Sequence, residues 1–353
     1  MKKLIFNLIL GLIILAISGC KLENAPSPLK FKGYENNPIL VPGEPGSWDD
    51  LYVFNSCVVE DHDTIYLFYT GSKKFGYGGI GIATSTDGYH FARFKGNPIL
   101  TRDNTGYCAI SVSQAHLLKE DSLWVMYFNG REIAGYNSGP YFGRATAKSL
   151  KGPWIKSEKP ILTSGRRGEW DCEFINHPSV HKLEDGRYVM YYGGGPDLDT
   201  YTNYYIGLAT SKDGIIWKKY NDPATTQHPF ADSDPVLMTG NPGDWDVDLV
   251  LTGMVNPLQD GFEMYYHGGA TKAVRWEIAS LGYATSSDGI HWEKYKNNPI
   301  YTVEDDPYYA KMVKKEAIIQ CPCFIVKDSI RIMYYNYGAC VNSAIGMAIA
   351  KVK

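Results

Sequence analysis

The chain alternates apolar and polar residues in short runs, and the runs repeat at a spacing of roughly 60 to 75 residues. Aromatic-rich runs with strand periodicity occupy 65–69, 123–128, 188–192, 262–266 and 330–335, each preceded by an apolar run marked by Val58, Leu117, Val180, Val255 or Ile325. Each is followed by a glycine-bearing strand pattern: Ile80-Gly81-Ile82-Ala83, Phe142-Gly143-Arg144-Ala145, Ile206-Gly207-Leu208-Ala209, Leu281-Gly282-Tyr283-Ala284 and a degenerate Ile345-Gly346-Met347-Ala348. In the best copies an Asp-Gly turn (Asp87-Gly88, Asp213-Gly214, Asp288-Gly289) leads into one more aromatic strand, such as Ile290-His291-Trp292-Glu293-Lys294-Tyr295. A terminal phrase then recurs: Asn37-Pro38-Ile39-Leu40, Asn97-Pro98-Ile99-Leu100, Lys159-Pro160-Ile161-Leu162, Asp234-Pro235-Val236-Leu237 and Asn298-Pro299-Ile300-Tyr301. Four strands per unit and five units predict an all-β fold, a five-bladed β-propeller of four-stranded blades.

The same pattern predicts how the circle closes. The last unit stops after 345–352 without its outermost strand, whereas 31–40 is an orphan copy of that strand. The N-terminal strand is therefore expected to complete the final blade and remove an exposed sheet edge.

The segment before it reads as processing rather than fold. Met1-Lys2-Lys3 is basic, 4–17 is apolar but short for a membrane span, and Ala16-Ile17-Ser18-Gly19-Cys20 resembles a bacterial lipobox. Residues 1–19 are expected to be a lipoprotein signal peptide, Cys20 the lipidated residue, 20–29 a tether and 30–353 a single propeller domain. Lys21 follows Cys20 where an Asp is associated with inner-membrane retention, so the expected location is the outer membrane.

Composition narrows the partner. A net charge of -3, with both signs scattered, supplies no basic stripe for a phosphate backbone, so nucleic acid is not an expected partner. The 27 Tyr, 8 Trp and 36 Gly suit strands, tight turns and rings that stack on sugar faces. Cys57, Cys108, Cys172, Cys321, Cys323 and Cys340 lack the density of a disulfide scaffold, and several fall in apolar strands as buried thiols. Cys321-Pro322-Cys323 has no second Cys or His pair at zinc-like spacing, so no metal site is assigned.

The whole blade phrase runs Gly-x-Trp-Asp, Pro-x-Val, an aromatic strand, Ile-Gly-x-Ala-Thr-Ser-x-Asp-Gly and Asn-Pro-Ile-Leu. It resembles the five-bladed glycoside hydrolase superfamily, which includes families 43, 32, 62, 68, 117 and 130, over nearly the whole mature chain. The resemblance implies a carbohydrate-active propeller, expected here as a monomer with an oligosaccharide substrate; it identifies the fold well and the reaction poorly. A structural calcium in the funnel is compatible with it.

Repetition separates scaffold from chemistry. Trp48-Asp49, Trp170-Asp171 and Trp245-Asp246 recur, so these Asp residues are expected to bind loop backbone, with Trp48, Trp170 and Trp245 at the pocket rim as substrate-binding residues. Two positions after each Asp stand Leu51, Glu173 and Asp248, entering the innermost strands. Glycoside hydrolysis needs a protonated and an ionised carboxyl group. The family 43 enzymes that the chain resembles place a base Asp in the first blade, a pKa-tuning Asp in the second and an acid Glu in the third. That likeness implies Glu173 as general acid, with Asp50 or Asp248 as base. The second unit departs from the pattern, since 107–118 holds Ser111, Ser113, Gln114 and His116 but no carboxylate.

Other exceptions are His177, where the first and fourth units have Asn55 and Thr252, and Gln114, Arg131, His267 and Glu316 as funnel-facing substrate contacts. Arg131 suits a carboxylate or sulfate, and Arg166 and Arg167 stand close by in sequence. The leading expectation is an exported glycoside hydrolase acting on plant or algal cell-wall oligosaccharides by carboxylate acid/base catalysis. Beside it stand a uronate-directed lyase or dehydratase using His177, His267 or a tyrosine as base, and a non-catalytic sugar-binding lipoprotein.

Overall fold

The computed structural model describes residues 26–74, 76–132, 141–196, 202–270, 279–308, 318–338 and 343–352. The signal segment, Cys20, Cys340 and Glu316 lie outside them. Five antiparallel sheets, one per sequence unit, form a five-bladed β-propeller. The inner strands are Tyr52–Asp61, Ser111–Glu120, Phe174–Lys182, Leu249–Leu258 and Ile319–Lys327. Behind them lie the middle strands Thr64–Lys74, Leu123–Arg131, Tyr188–Gly195, Gly261–Gly269 and Ile330–Tyr337. Short outer strands complete four blades from within each unit. The fifth is completed by the N-terminal strand, with Lys32 opposite Ile349 and Ile39 N–H donating to Ile345 C=O at 2.8 Å. No helix among the described residues is long and apolar enough to cross a membrane.

The core is divided into layers between blades. Phe68 and Met126 belong to one layer, Tyr127 and Tyr188 to the next, then Tyr191 with Tyr266, Tyr265 with Tyr335, and Tyr334 with Leu67 across the closure. Each Asp-Gly turn takes part in this packing. The Tyr127, Tyr191 and Tyr334 hydroxyls donate to the C=O of Gly214, Gly289 and Gly88 in the following blade, at 3.0, 3.0 and 2.9 Å.

The recurring Asn-Pro phrase has an equally local reason. Asn97 accepts Ile82 N–H at 2.9 Å and donates to Ile82 C=O at 2.8 Å, so its side-chain amide serves as one more rung of the ladder. Asn298 does the same with Tyr283, and Asn37 with Met347. A buried strand edge is thereby satisfied without a further strand.

The Trp-Asp repeats are also scaffold. Asp49, Asp171 and Asp246 accept from the hydroxyls of Tyr69, Tyr192 and Tyr266 and pair with Arg93, Lys219 and Lys294. Burial and the neighbouring carboxylate push the Tyr192 phenol well above its ordinary range. The loop backbone is engaged by these residues' own carbonyls, which accept the N–H of Gly43, Gly165 and Gly240, rather than chiefly by the carboxylates. Trp48, Trp170 and Trp245 pack on the same tyrosines with centroids 5.7 to 5.8 Å apart. Gly81, Gly207 and Gly282 let these rings approach, because an added Cβ would lie 2.5 to 2.9 Å from an indole carbon.

Candidate active site

The inner strands converge on the axis, and each carries a bulge at one place. The bulges fall at Phe54/Cys57, Ser113/His116, Asn176/Ser179, Thr252/Met254 and Gln320/Cys323. Four residues here adopt left-handed backbone: Asn55, Gln114, His177 and Cys321, with φ of 53°, 56°, 50° and 53°. Such a φ is costly for a side chain other than glycine, so five-fold recurrence of the bulge marks a built feature. It gathers side chains from different blades at the axis.

His177 is the hub of that ring. Its Nε2 lies 2.9 Å from Cys321 Sγ, 3.2 Å from Asn55 Oδ1 and 3.3 Å from Gln114 Nε2, while its N–H donates to Gln114 Oε1 at 2.9 Å. Asn55 is fixed in turn by Asn336, which donates to Asn55 Oδ1 at 3.2 Å and accepts the Asn55 N–H at 2.9 Å. The ring closes the channel to a cavity of about 30 Å³, room for about one water. A substrate entering the funnel meets a floor.

That floor is electrically neutral. Burial pushes the His177 imidazole down to about 3 and the Cys321 thiol up. His267, with its ring 5.6 Å from that of His177, is driven well below the usual range by burial and by His177. At neutral pH both imidazoles are uncharged.

Carboxylates stand one level up. Leu51, Ile110, Glu173 and Asp248 are equivalent, since their N–H groups donate to the C=O of Ser72, Arg131, Gly195 and Gly269 at the end of each middle strand, at 2.8 to 3.2 Å. Only the third and fourth of these blades present a carboxylate there, and those blades are neighbours. Asp248 is 7% exposed, and Glu173 is half-buried. The arrangement thus offers two acids in one register above a neutral, blind floor. The second blade has Ile110 at this level and Gln114 at the floor, so its inner strand lacks an acid in the structure as in the sequence.

The other expected site residues divide. Gln114 and His177 are brought together, and Arg131 ends the second blade's middle strand opposite Ser111. Asp50 precedes the equivalent register by one residue, and its carboxylate accepts the Gly46 N–H at 2.7 Å within its own loop. Two expectations need correction. Trp170 is 1% exposed, stacked on Tyr192 with its indole N–H given to Ser233 at 3.1 Å, and no sugar can reach it. His267 is 1% exposed and does not lean over the funnel, because it faces Leu251 in the strand pair and is covered. Trp48 and Trp245 occupy the same stacking position as Trp170 but are half-buried. Glu316 lies outside the described residues.

Asn55, Asn336 and Cys321 complete the ring without having been singled out as site residues. Asn55 and Cys321 could have been found from the repeat register, each lying one residue before the bulge position held by Pro178 in the third unit. Among the described residues no cluster of three or more His, Cys, Asp or Glu side chains is arranged to hold a metal ion, so the calcium expectation has no ligand set there.

No protein-family model matches the chain. It is 28% identical over 197 residues to a Mycobacterium tuberculosis protein without an assigned activity, covering 52% of this chain and 59% of that protein. The chain thus spans less than two thirds of the length of those first curated relatives. A 1,2-β-oligomannan phosphorylase of Thermoanaerobacter is 23% identical over 335 residues, or 92% of this chain and 98% of the relative. A solved structure from family 130 of mannoside phosphorylases, a family that contains glycoside hydrolases targeting β-1,2 mannosidic linkages in Candida mannan, superposes with a TM-score of 0.69. It is 20% identical and covers 92% of this chain and 96% of its own. The chain therefore shares the five-bladed β-propeller fold of the glycoside hydrolase superfamily that its blade phrases resemble.

Proposed function

We propose that the protein is a glycoside-cleaving enzyme that hydrolyses oligosaccharides in the central funnel, with Glu173 as general acid and Asp248 as general base. The observation that carries this is the common register of the two carboxylates on adjacent blades above a closed floor. A glycosidic bond held between them would receive a proton on its leaving oxygen from one and an activated water from the other. His177, Gln114 and Asn55 would hold sugar hydroxyls as neutral hydrogen-bonding groups.

Phosphorolysis is the second reading, favoured by the Thermoanaerobacter relative. It needs fixed positive charge for phosphate. The inner-strand segments 51–55, 110–114, 173–177, 248–253 and 318–321 contain two carboxylates and no Lys or Arg, which favours water as the acceptor. Elimination draws no support from His267, whose ring is buried.

The substrate proposal covers β-1,2-linked mannosides, from the relatives, and the plant or algal cell-wall oligosaccharides of the sequence reading. The lipobox-like Ser18-Gly19-Cys20 supports attachment to the outer membrane through Cys20. The test is to incubate the mature protein with both classes of oligosaccharide, with and without inorganic phosphate, and to weigh the products. Addition of water at the cleaved link supports the reading. A sugar phosphate formed only with phosphate present sinks hydrolysis, and an unsaturated uronate without gain of water would establish elimination.

A further inference from the structure

The rim between the second and third blades carries a groove of about 820 Å³, far larger than the axial cavity. One wall is formed by 162–166 at the outer edge of the second blade. The other comes from the outer strand Trp217–Lys219 and the loop after it. That loop breaks the repeat. The terminal phrase begins at Asn97 and Asn298, four residues past the fourth strands ending at Arg93 and Lys294, but at Asp234 in the third blade, fifteen residues past Lys219.

The insertion is fastened down. Trp170 N–H donates to Pro229 C=O at 2.9 Å, Asp232 N–H donates to Glu169 Oε2 at 3.1 Å, His228 Nδ1 lies 2.6 Å from Glu169 Oε1, and Arg166 pairs with Asp232. Glu169 is 0% exposed. The corresponding positions in the first and fourth blades are Ser47 and Asp244. Burying a carboxylate costs stability unless it is fully paired, so holding this loop in place carries a cost that the other blades avoid.

The groove wall also contains an unpartnered donor. Trp217 is 9% exposed, and its Nε1 has no hydrogen-bond partner. Its counterparts Trp292 and Trp154 donate to Gly289 C=O at 3.1 Å and to Leu150 C=O at 3.3 Å. A buried indole N–H without an acceptor is uncommon, and one lining an open groove is placed to receive an acceptor from outside. Asn221, Thr226 and the exposed Lys218 stand in the same groove with hydroxyl-compatible polar groups.

We propose that this groove is a second carbohydrate-binding site, separate from the funnel, which holds a glycan chain by its hydroxyls. The volume falls within the roughly 300–1,000 Å³ of small-ligand sites, and the open, elongated wall suits a chain rather than a compact molecule. The proposal rests on the carbohydrate reading above, but its test does not depend on turnover.

Affinity electrophoresis through gels containing soluble yeast mannan, arabinan or alginate measures binding directly. The mature protein carrying Glu173→Gln serves as the background, so that no polymer is cleaved. Retardation by at least one polymer is expected, and it should weaken about three- to tenfold in Trp217→Phe, which keeps the ring and removes the N–H. It should weaken similarly in the surface variant Lys218→Ala/Thr226→Ala, whose exposed positions leave the fold intact. Cleavage of a disaccharide by an otherwise native Lys218→Ala/Thr226→Ala enzyme should be unchanged. Equal retardation of both variants and background, or no retardation by any of the three polymers, overturns the proposal. If the native enzyme cleaves no sugar while the groove variants still lose retardation, the groove stands and the hydrolase reading falls.

Discussion

His177 Nε2 lies 2.9 Å from the Cys321 sulfur and 3.2 Å from Asn55 Oδ1, so one imidazole joins the third, fifth and first blades at the propeller axis. The network assigns its tautomer. Asn336 donates to Asn55 Oδ1 and accepts the Asn55 N–H, which fixes that oxygen as the acceptor facing the ring. Nε2 therefore carries the proton and Nδ1, buried and unpartnered, is the bare nitrogen. A neutral ring in this state holds the floor together without a charge that the site would have to solvate.

Acid should loosen the propeller through its histidines. Burial holds His116 at about 4 and His177 at about 3, below the ordinary histidine value of 6.5. A depressed folded-state pKa means that the unfolded chain binds the extra proton first as pH falls. The stability these residues contribute is full above pH 6.5 and is lost on acidification through the window down to their folded values, by about 1.4 kcal/mol per pH unit for each. Urea unfolding between pH 7 and pH 4 measures this, and His116→Gln should flatten the curve by one histidine's share. Parallel curves for variant and wild type would contradict the assignment.

Asp171 and Glu173, two residues apart, should separate cleanly. Asp171→Ala leaves Lys219 buried beside no partner and is expected to lose about 3–5 kcal/mol of stability. Glu173→Gln should keep the melting temperature and lose at least about a hundredfold in cleavage rate. Thermal melts and product release on the same two proteins decide it, and the reverse pattern would exchange their roles.

Asp248→Asn should behave like Glu173→Gln. Because each acid completes the other's chemistry, the double variant should be little slower than the slower single one. Fully multiplicative losses would show that the two act in separate steps or that one lies outside the site.

Asn298→Ala removes a side chain that accepts Tyr283 N–H at 2.9 Å and donates to Tyr283 C=O at 3.0 Å. Leaving buried backbone groups unpaired costs about 1–3 kcal/mol, so its urea midpoint should fall without a change in m-value. An unchanged midpoint would mean that water satisfies both groups.

The thiols should be silent in the folded protein. Burial pushes Cys57 and Cys108 up to about 12 and raises Cys321 and Cys323 as well. Iodoacetamide at pH 8 should leave these four unmodified in native protein and label them in urea, read by peptide mass mapping. Rapid native labelling of Cys321 would show the funnel floor to be open.

The sequence by itself determined the propeller. Strand alternation, Asp-Gly turns and the Asn-Pro phrase are short-range patterns whose reasons are local: a turn that takes a neighbouring tyrosine's hydroxyl, an amide that serves as a strand rung. The closure by 31–40 was legible for the same reason, since an orphan strand has one vacant edge to fill. The register of Glu173 and Asp248 also followed from counting along the repeats. What only the tertiary structure decided was the direction and company of side chains once five strands met at an axis. The Asn336–Asn55 link spans 281 residues, and no spacing along the chain announces it. Trp170 and His267 looked available because they are polar-capable residues at strand ends, and they proved covered because burial depends on what the neighbouring strand and blade place over them. The bulges make the same point: one extra residue in each inner strand turns Asn55, Gln114, His177 and Cys321 onto the axis, and that rotation is a property of paired strands rather than of any one segment.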